Sequence, residues 1–453
     1  MRLFPATPPP GPFRATFWRS PLRGRWLTSV FGALLLVGIP VLFLTGLFSY
    51  AAYNPELGND LTPSKGVLGF YLFDWPTRPV WLYAANQGVH VIGGLVLLPV
   101  LLAKLWSVIP RLFSWPPFSS PAQALERLGL VLLVGGALFE FVTGIMNVQY
   151  WYAFGFSFYT AHFFGAWVFF AGFVLHAVVK VPLARRALRS RRIVEELKVK
   201  LADTRPEGDP EEDSLVAPAA AAPTLSRRGL LGIVGGSSLA LLVLSAGQVL
   251  GGPLRTIALL APRGRSYGDG PNDFQVNKPA AAAGVTAAMV GPAYRLELRG
   301  GTSDRDLARE GLLALPQHTY ELPIACVEGW TTWQTWTGVR LRDLATFAGA
   351  EGSVRVFVES VQESGVFSNT VLSEDQVADE RSLLALTVEG EPLSLDHGYP
   401  ARIIVPALPG VHCTKWVGEM AFASSKHPAS VPNPGDSDSK DAASLPTPSP
   451  ASS

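Results

Sequence analysis

Few side chains in this sequence are equipped for chemistry, and they fall into two groups. The first centres on Cys326, one of only two cysteines in 453 residues. Two thiols cannot make a disulfide framework, so each needs its own account. Cys326 opens the run Cys326-Val327-Glu328-Gly329-Trp330, with Trp333, Trp336 and Leu341-Arg342-Asp343-Leu344 downstream. A thiolate is a soft ligand suited to a redox metal; a lone buried cysteine also serves as a small hydrophobe. The second group is three histidines, His90, His162 and His176, each inside a long apolar run. Imidazole is a common metal ligand, and an ionisable side chain at membrane depth is costly enough to need a task.

The apolar runs are the elements that must position those histidines. A mean hydropathy of +0.25 is high for a soluble chain. Five stretches, about 27–50, 80–103, 128–150, 158–179 and 229–254, free of Lys, Arg, Asp and Glu but for Glu140, reach the roughly 20 residues that cross a bilayer. The first is too long for a cleaved secretory leader and is followed by further spans. Arg14, Arg19, Arg23 and Arg25, then Lys104, Arg111 and Arg127, then Lys180 to Arg192 flank the spans on one side and place it in the cytoplasm. Segments 51–79 and 151–157 then face outward, with the aromatic loop Tyr150-Trp151-Tyr152-Ala153-Phe154 at the interface, and everything after about 255 lies outside. A formal net charge of +1 offers nothing to nucleic acid.

Depth sorts the histidines. His162 and His176 are 14 residues apart, so they share a helix face at heights differing by about 21 Å. Counted from the basic edges at Lys104 and Lys180, His90, His162 and His176 lie at roughly 21, 27 and 6 Å. His90 and His162 can therefore bracket one haem iron in the outer half of the bilayer. His176 has no histidine at its own depth; it either serves a second haem or bonds a carbonyl or propionate near the inner surface. Glu140 is the one carboxylate inside the third span. It either relays protons to a quinone or is a neutral acid bonded to a neighbouring helix.

Three resemblances give these residues a context. Cys326-Val-Glu-Gly-Trp with Trp336-Thr337-Gly338-Val339 resembles the molybdenum-ligand loop of the sulfite-oxidase family of molybdopterin enzymes. A second block, His397-Gly398-Tyr399-Pro400-Ala401-Arg402 through Pro409-Gly410 to Thr414-Lys415-Trp416-Val417, agrees with it, and the likeness spans about 270–425. It implies Cys326 as the single protein ligand to molybdenum. It also implies that His397, Arg402 and Lys415 hold the pterin phosphate through charge-assisted bonds, with Asn277 approaching the cofactor from the leading segment Asp273–Lys278. Arg402 has the alternative of flanking a strand, and His412 and Cys413 read as structural. Trp330, Trp333 and Trp336 read as core and pocket wall. The four-span helix pattern with its histidine spacing resembles the membrane cytochrome b subunits of formate dehydrogenases and hydrogenases, which implies haem b on His90 and His162. Finally, Ser226-Arg227-Arg228-Gly229 before the fifth span resembles a twin-arginine export signal, suited to a domain that folds around its cofactor before crossing; ordinary positive flanking charge is the alternative.

The expected organisation is a cytoplasmic tail (1–25), an all-α four-helix membrane cytochrome b domain (26–184) and a flexible cytoplasmic linker (185–225). A signal-like segment and fifth anchoring helix (226–255) then lead to an α+β molybdopterin-binding domain (265–426) and a disordered Ser/Pro-rich tail (427–453). Strands are expected at 294–300, 322–327, 354–359, 383–388 and 402–406, where alternation or short apolar runs end in turns. The sulfite oxidases' Gly-Asn-Arg after the ligand cysteine is replaced here by Val-Glu-Gly-Trp, and the domain stops near 425. Both departures bring the chain nearer the methionine-sulfoxide reductase branch. The expected function is a multi-pass membrane oxidoreductase passing electrons from quinone through haem b to an extracytoplasmic molybdenum site that reduces an S-oxide or N-oxide. Two alternatives stand: sulfite-type oxidation delivering electrons to quinone, and a non-catalytic haem-anchored binding or assembly module. No internal repeat or interrupted span motivates a transporter.

Overall fold

The computed structural model describes residues 5, 7–53, 73, 75–117, 120–151, 153–208, 215–362 and 368–424. The expected disordered tail and Tyr152 of the aromatic loop lie outside these. Chain contacts divide the protein into two units, 1–46 with 89–246 and 47–88 with 247–453.

The apolar runs become five helices long and apolar enough to cross a membrane. They are α1 (Arg25–Tyr53), α2 (Leu82–Leu112), α3 (Pro121–Val148), α4 (Phe158–Ser190) and, after the one-turn α5 (Ile193–Glu196), α6 (Arg227–Leu250). Composition fixes them: each offers a continuous apolar stretch, and in lipid a helix satisfies its own backbone. Starts are set by polar caps, Ser120 accepting from the Gln123 amide and Ser157 from the Thr160 amide. In the first unit Trp26, Leu27, Phe31, Leu35 and Ile39 of α1 pack with Val100, Leu101, Ala137, Phe141, Phe169 and Val234.

The linker expected to be flexible and the tail ahead of α1 both make contacts where they are described. Residues 11–13 and 15–17 form short 3-10 turns, and the Arg23 guanidinium lies over the Trp106 ring. In the linker Leu215, Val216 and Ala217 are buried. Glu207 reaches back across the sequence to accept the Trp26 and Leu27 amides at 2.7 and 3.2 Å, capping a helix start whose own cap position is Gly24, with no side chain to offer. Arg227 pairs with both Glu196 and Glu207 at 3.5 Å. Two of the linker's glutamates, Glu196 and Glu207, are thus held in tertiary contacts.

The second unit contains the α+β domain. One sheet has the order β2 (Arg305–Leu307), β1 (Leu296–Arg299), β10 (Val417–Ser424), β5 (Val354–Ser360), β6 (Asn369–Leu372), with β1 and β10 parallel and the other pairs antiparallel. The other runs β3 (His318–Ala325), β4 (Thr331–Arg340), β7 (Leu383–Val388), β8 (Glu391–Pro392), all antiparallel, with β9 (Arg402–Ile404) also on β7. Short helices α7 (Arg309–Ala314), α8 (Leu341–Phe347) and α9 (Glu374–Ala378) connect them. The strands expected from alternation are present; β4, whose Trp/Thr-rich sequence reads as pocket wall, is an additional ten-residue strand.

Candidate functional site

Cys326 is the first residue of the five-residue link between β3 and β4, whose ladder closes at Ala325 and Thr331. The Cys326 amide donates to the Trp330 carbonyl at 2.9 Å and the Gly329 amide to the Cys326 carbonyl at 3.0 Å. Gly329 has φ +86°, a left-handed turn that a side chain would strain. This tight link buries the thiol at the end of an apolar strand. Burial pushes the thiol up to about 11, an effect only partly offset by the Glu328 and Val327 amides and by Arg263. A free thiolate is therefore disfavoured there, and a metal that displaces the proton would supply the missing countercharge.

A cleft of about 320 Å³, open in part to solvent, is lined by Cys326, Trp330, Ile324 and Gly410 together with Gln275, Val276, Asn277, His397, Arg402 and Lys415. All five residues expected from the two sequence blocks and the leading segment meet here. His397 is held by its ring, stacked on Phe274 at 3.6 Å, with Nε2 donating to the Asn272 carbonyl at 2.9 Å. Burial, with Arg402 beside it, lowers His397 to about 3, so it offers a neutral imidazole and the positive charge comes from its neighbours. Arg402 donates to the carbonyls of His397 and Cys413 at 3.1 and 3.3 Å and lies over the Trp336 ring. Lys415 spends two of its three N–H bonds on the carbonyls of Lys278 and Asp396, at 2.5 and 2.8 Å. Gly398, at φ +105°, lets the chain turn where a Cβ would press on Lys415 and Arg402.

The residues present fit an anionic, hydrogen-bonding cofactor held beside a thiolate. Arg402 Nε and both amide atoms of Gln275 are buried with no partner among the described residues, and buried polar groups normally have one. Gln275 was invisible as a site residue in the sequence, because a single glutamine in a loop carries no pattern. Glu328, two residues from Cys326 in the ligand-loop motif, accepts from the Trp330 indole at 2.6 Å and from Arg263 at 3.2 Å, and burial raises it to about 8. Cys413 and His412 are both buried and off the cleft wall. Trp336 is core, its indole donating to the Leu322 carbonyl, whereas Trp333 is exposed.

Among the membrane-helix histidines, the structure brings two together. The rings of His90 and His162 have centroids 6.3 Å apart and nearly perpendicular planes. His90 Nδ1 donates to the Leu42 carbonyl at 3.0 Å and His162 Nδ1 donates to Glu140 at 2.9 Å, which leaves Nε2 on each ring. His176 is half-buried in α4 without joining them. No three His, Cys, Asp or Glu side chains among the described residues form an all-protein metal site. Arg227 is buried, and Arg228 is exposed.

The cleft and its fold define a cofactor-binding redox domain. Residues 283–431 match the family described as oxidoreductase molybdopterin binding domain, and this part of the chain is a molybdopterin-binding oxidoreductase domain similar to that of the sulfite oxidases. The chain is 33% identical over 123 residues to the uncharacterized oxidoreductase YuiH of Bacillus subtilis, covering 27% of this chain and 61% of that protein. It is 29% identical over 160 residues to mitochondrial sulfite oxidase of Drosophila melanogaster, covering 29% and 28%. Among solved structures it matches sulfane dehydrogenase SoxCD from Paracoccus pantotrophus with 25% identity, 29% and 38% coverage and a TM-score of 0.27. The chain thus spans about three-fifths of one curated relative and under a third of another.

Proposed function

We propose that this protein is a membrane-bound molybdopterin oxidoreductase that exchanges electrons between quinone and a molybdenum site on Cys326 through haem b. The observation that carries it is the convergence of Cys326, Asn277, His397, Arg402 and Lys415 on one cleft in which Arg402 Nε and Gln275 lack partners. When bound, the molybdenum centre supplies two-electron oxygen-atom chemistry. The chain's part is to hold and orient. Cys326 anchors the metal from a tight turn, Arg402 and Lys415 offer cationic donors to the pterin phosphate, Asn277 offers a neutral one, and His397, its one N–H spent on Asn272, offers an acceptor nitrogen. Trp330 and Ile324 wall the cleft.

The His90–His162 spacing supports the haem. With a metal–imidazole bond of about 2 Å and a ring radius of about 1.2 Å, two imidazoles on one iron have centroids about 6.4 Å apart, close to the 6.3 Å found. The Nδ1–H bonds to a carbonyl and a carboxylate are those that orient ligand histidines. His176 lacks such a pair, which favours one haem over two. Positive-inside asymmetry supports a multi-pass membrane protein with the molybdopterin domain outside, exported by the twin-arginine machinery before Arg227 closes on Glu196 and Glu207. Val-Glu-Gly-Trp after Cys326 brings no arginine to an oxyanion, which favours reduction of an S-oxide or N-oxide over sulfite-type oxidation.

The test is metal and haem analysis of the purified chain, followed by turnover of methionine sulfoxide and of sulfite with a redox dye. Stoichiometric molybdenum that is lost in Cys326→Ser supports the reading. Full activity in that variant, or a metal-free, haem-free wild type supplied with both cofactors, rejects it; a wild type that carries haem but neither molybdenum nor activity leaves the haem-anchored non-catalytic module.

A further inference from the structure

Two segments distant in sequence from the molybdopterin-binding domain belong to the same unit, the end of α1 and the start of α2. Side chains bond main chain across each contact. Trp75 donates from its indole to the Ala407 carbonyl at 2.6 Å. His412 Nε2 donates to the carbonyls of Ala52 and Tyr53 at 3.2 and 3.0 Å, while its Nδ1 accepts from the Thr370 hydroxyl at 2.7 Å. These carbonyls sit at the end of α1, where the last turn has no intrahelical donors. The third bond is different in kind. Gln87 of α2 donates from Nε2 to the carbonyl of Val327 at 2.5 Å, and Val327 is the residue after Cys326.

The bonds that close the Cys326 turn use the carbonyls of Cys326 and Trp330, so Gln87 holds a carbonyl that the turn itself leaves free. Gln87 is 6% exposed, and its Oε1 has no partner among the described residues. Burying half an amide without a partner is a cost that a leucine of similar volume would avoid. The side chain is thus retained for the one bond it makes. A carbonyl fixed at Val327 fixes the Val327–Glu328 peptide plane, and with it the Glu328 N–H that is directed at the Cys326 sulfur, so the sulfur is held by a peptide whose orientation Gln87 sets.

We propose that Gln87 is a positioning residue for the metal-ligand loop: from α2, the helix that carries His90 three residues later, it sets the orientation of the Cys326 sulfur. The inference rests on Cys326 being the molybdenum ligand. It predicts that the electronic character of the metal depends on a residue of a membrane helix that never touches the metal.

The test uses the full-length chain in detergent with two substitutions, Gln87→Leu, which keeps volume and removes the donor, and Gln87→Glu, which replaces the donor with an acceptor. Expected in both are metal content within about twofold of wild type, unchanged KM for methionine sulfoxide and kcat lower by about tenfold, the scale of one buried hydrogen bond. The paramagnetic resonance signal of the half-reduced metal is expected to shift as well. Wild-type kcat and an unshifted signal in both variants overturn the proposal. If a variant loads no metal, amide exchange across 326–330 in metal-free chains decides: about tenfold faster exchange than metal-free wild type supports it, and equal exchange overturns it. A wild type that binds no molybdenum rejects the functional reading instead, and the exchange measurement still tests the Gln87 tie.

Discussion

Replacing Arg402 by methionine should have opposite consequences in the cofactor-free and cofactor-loaded protein. Arg402 is buried, donates to two carbonyls at 3.1 and 3.3 Å and has Nε unpartnered. No acidic side chain pairs with it in the ion pairs among the described residues; burial lowers it to about 10. Without the cofactor, Arg402→Met loses two charged-donor hydrogen bonds, together about 3–6 kcal/mol. It also removes an uncompensated buried cation, whose penalty is itself several kcal/mol. The two nearly cancel, and cofactor-free stability should stay within about 2 kcal/mol of wild type. With an anionic cofactor the balance tips: losing a buried charge-assisted contact costs about 2–5 kcal/mol. At about 2–4 °C per kcal/mol for a domain of this size, the gain in Tm on cofactor binding should shrink by on the order of 10 °C. Thermal unfolding of the detergent-solubilised chain with and without cofactor measures both. A variant that keeps the full cofactor-dependent gain would show that Arg402 only flanks β9, and one that collapses without cofactor would show the same.

Lys415 should make cofactor retention pH-dependent. Burial next to Arg402 lowers it from 10.5 to about 6, so between those values the unfolded chain holds a proton that the folded, cofactor-free chain lacks. That chain therefore gains stability from this group as pH rises from about 6, whereas an anion needs the charged amine and must bind with proton uptake. Retention should weaken by up to about tenfold per pH unit above 6, and Lys415→Arg should flatten the dependence; equal slopes in dialysis-retention curves would refute it. Glu140→Gln replaces the carboxylate on His162 with a neutral amide and should raise the haem midpoint on the order of 60 mV, the one-electron equivalent of tenfold. An unchanged potentiometric titration would count against ligation by His162, and unchanged quinone-linked turnover and pH profile would end a proton-relay role for Glu140. Arg227→Lys with Arg228→Lys should strand the C-terminal domain inside the cell; normal external delivery, read by protease accessibility, would leave only flanking charge.

The legible parts of this protein are those whose cause is local. A membrane helix needs only a long apolar run, and α1, α2, α3, α4 and α6 follow the five such runs with ends displaced by up to eleven residues. Leu383–Val388 is a strand over its full expected length. The site was readable in part because its residues cluster in two short blocks and a leading segment. What escaped were single polar residues with distant partners. Glu207 caps α1 across 181 residues, Gln87 holds Val327 across 240, and Gln275 completes a cleft wall from a loop. None has a periodicity or a neighbour that betrays it.

By itself, the sequence determined which stretches are long and apolar enough to cross a membrane, which alternate as strands, and which side chains are equipped to hold a metal, because those properties depend on residue type at spacings of one to four. Only the tertiary structure decided that the His162 ring donates to Glu140 and the His90 ring to the Leu42 carbonyl, that Arg402 rests on Trp336 with its Nε unspent, and that Arg227 is locked between two glutamates. Those outcomes depend on which segments of the chain are brought together, and a hydrogen bond a few ångströms long leaves no trace at a separation of two hundred residues.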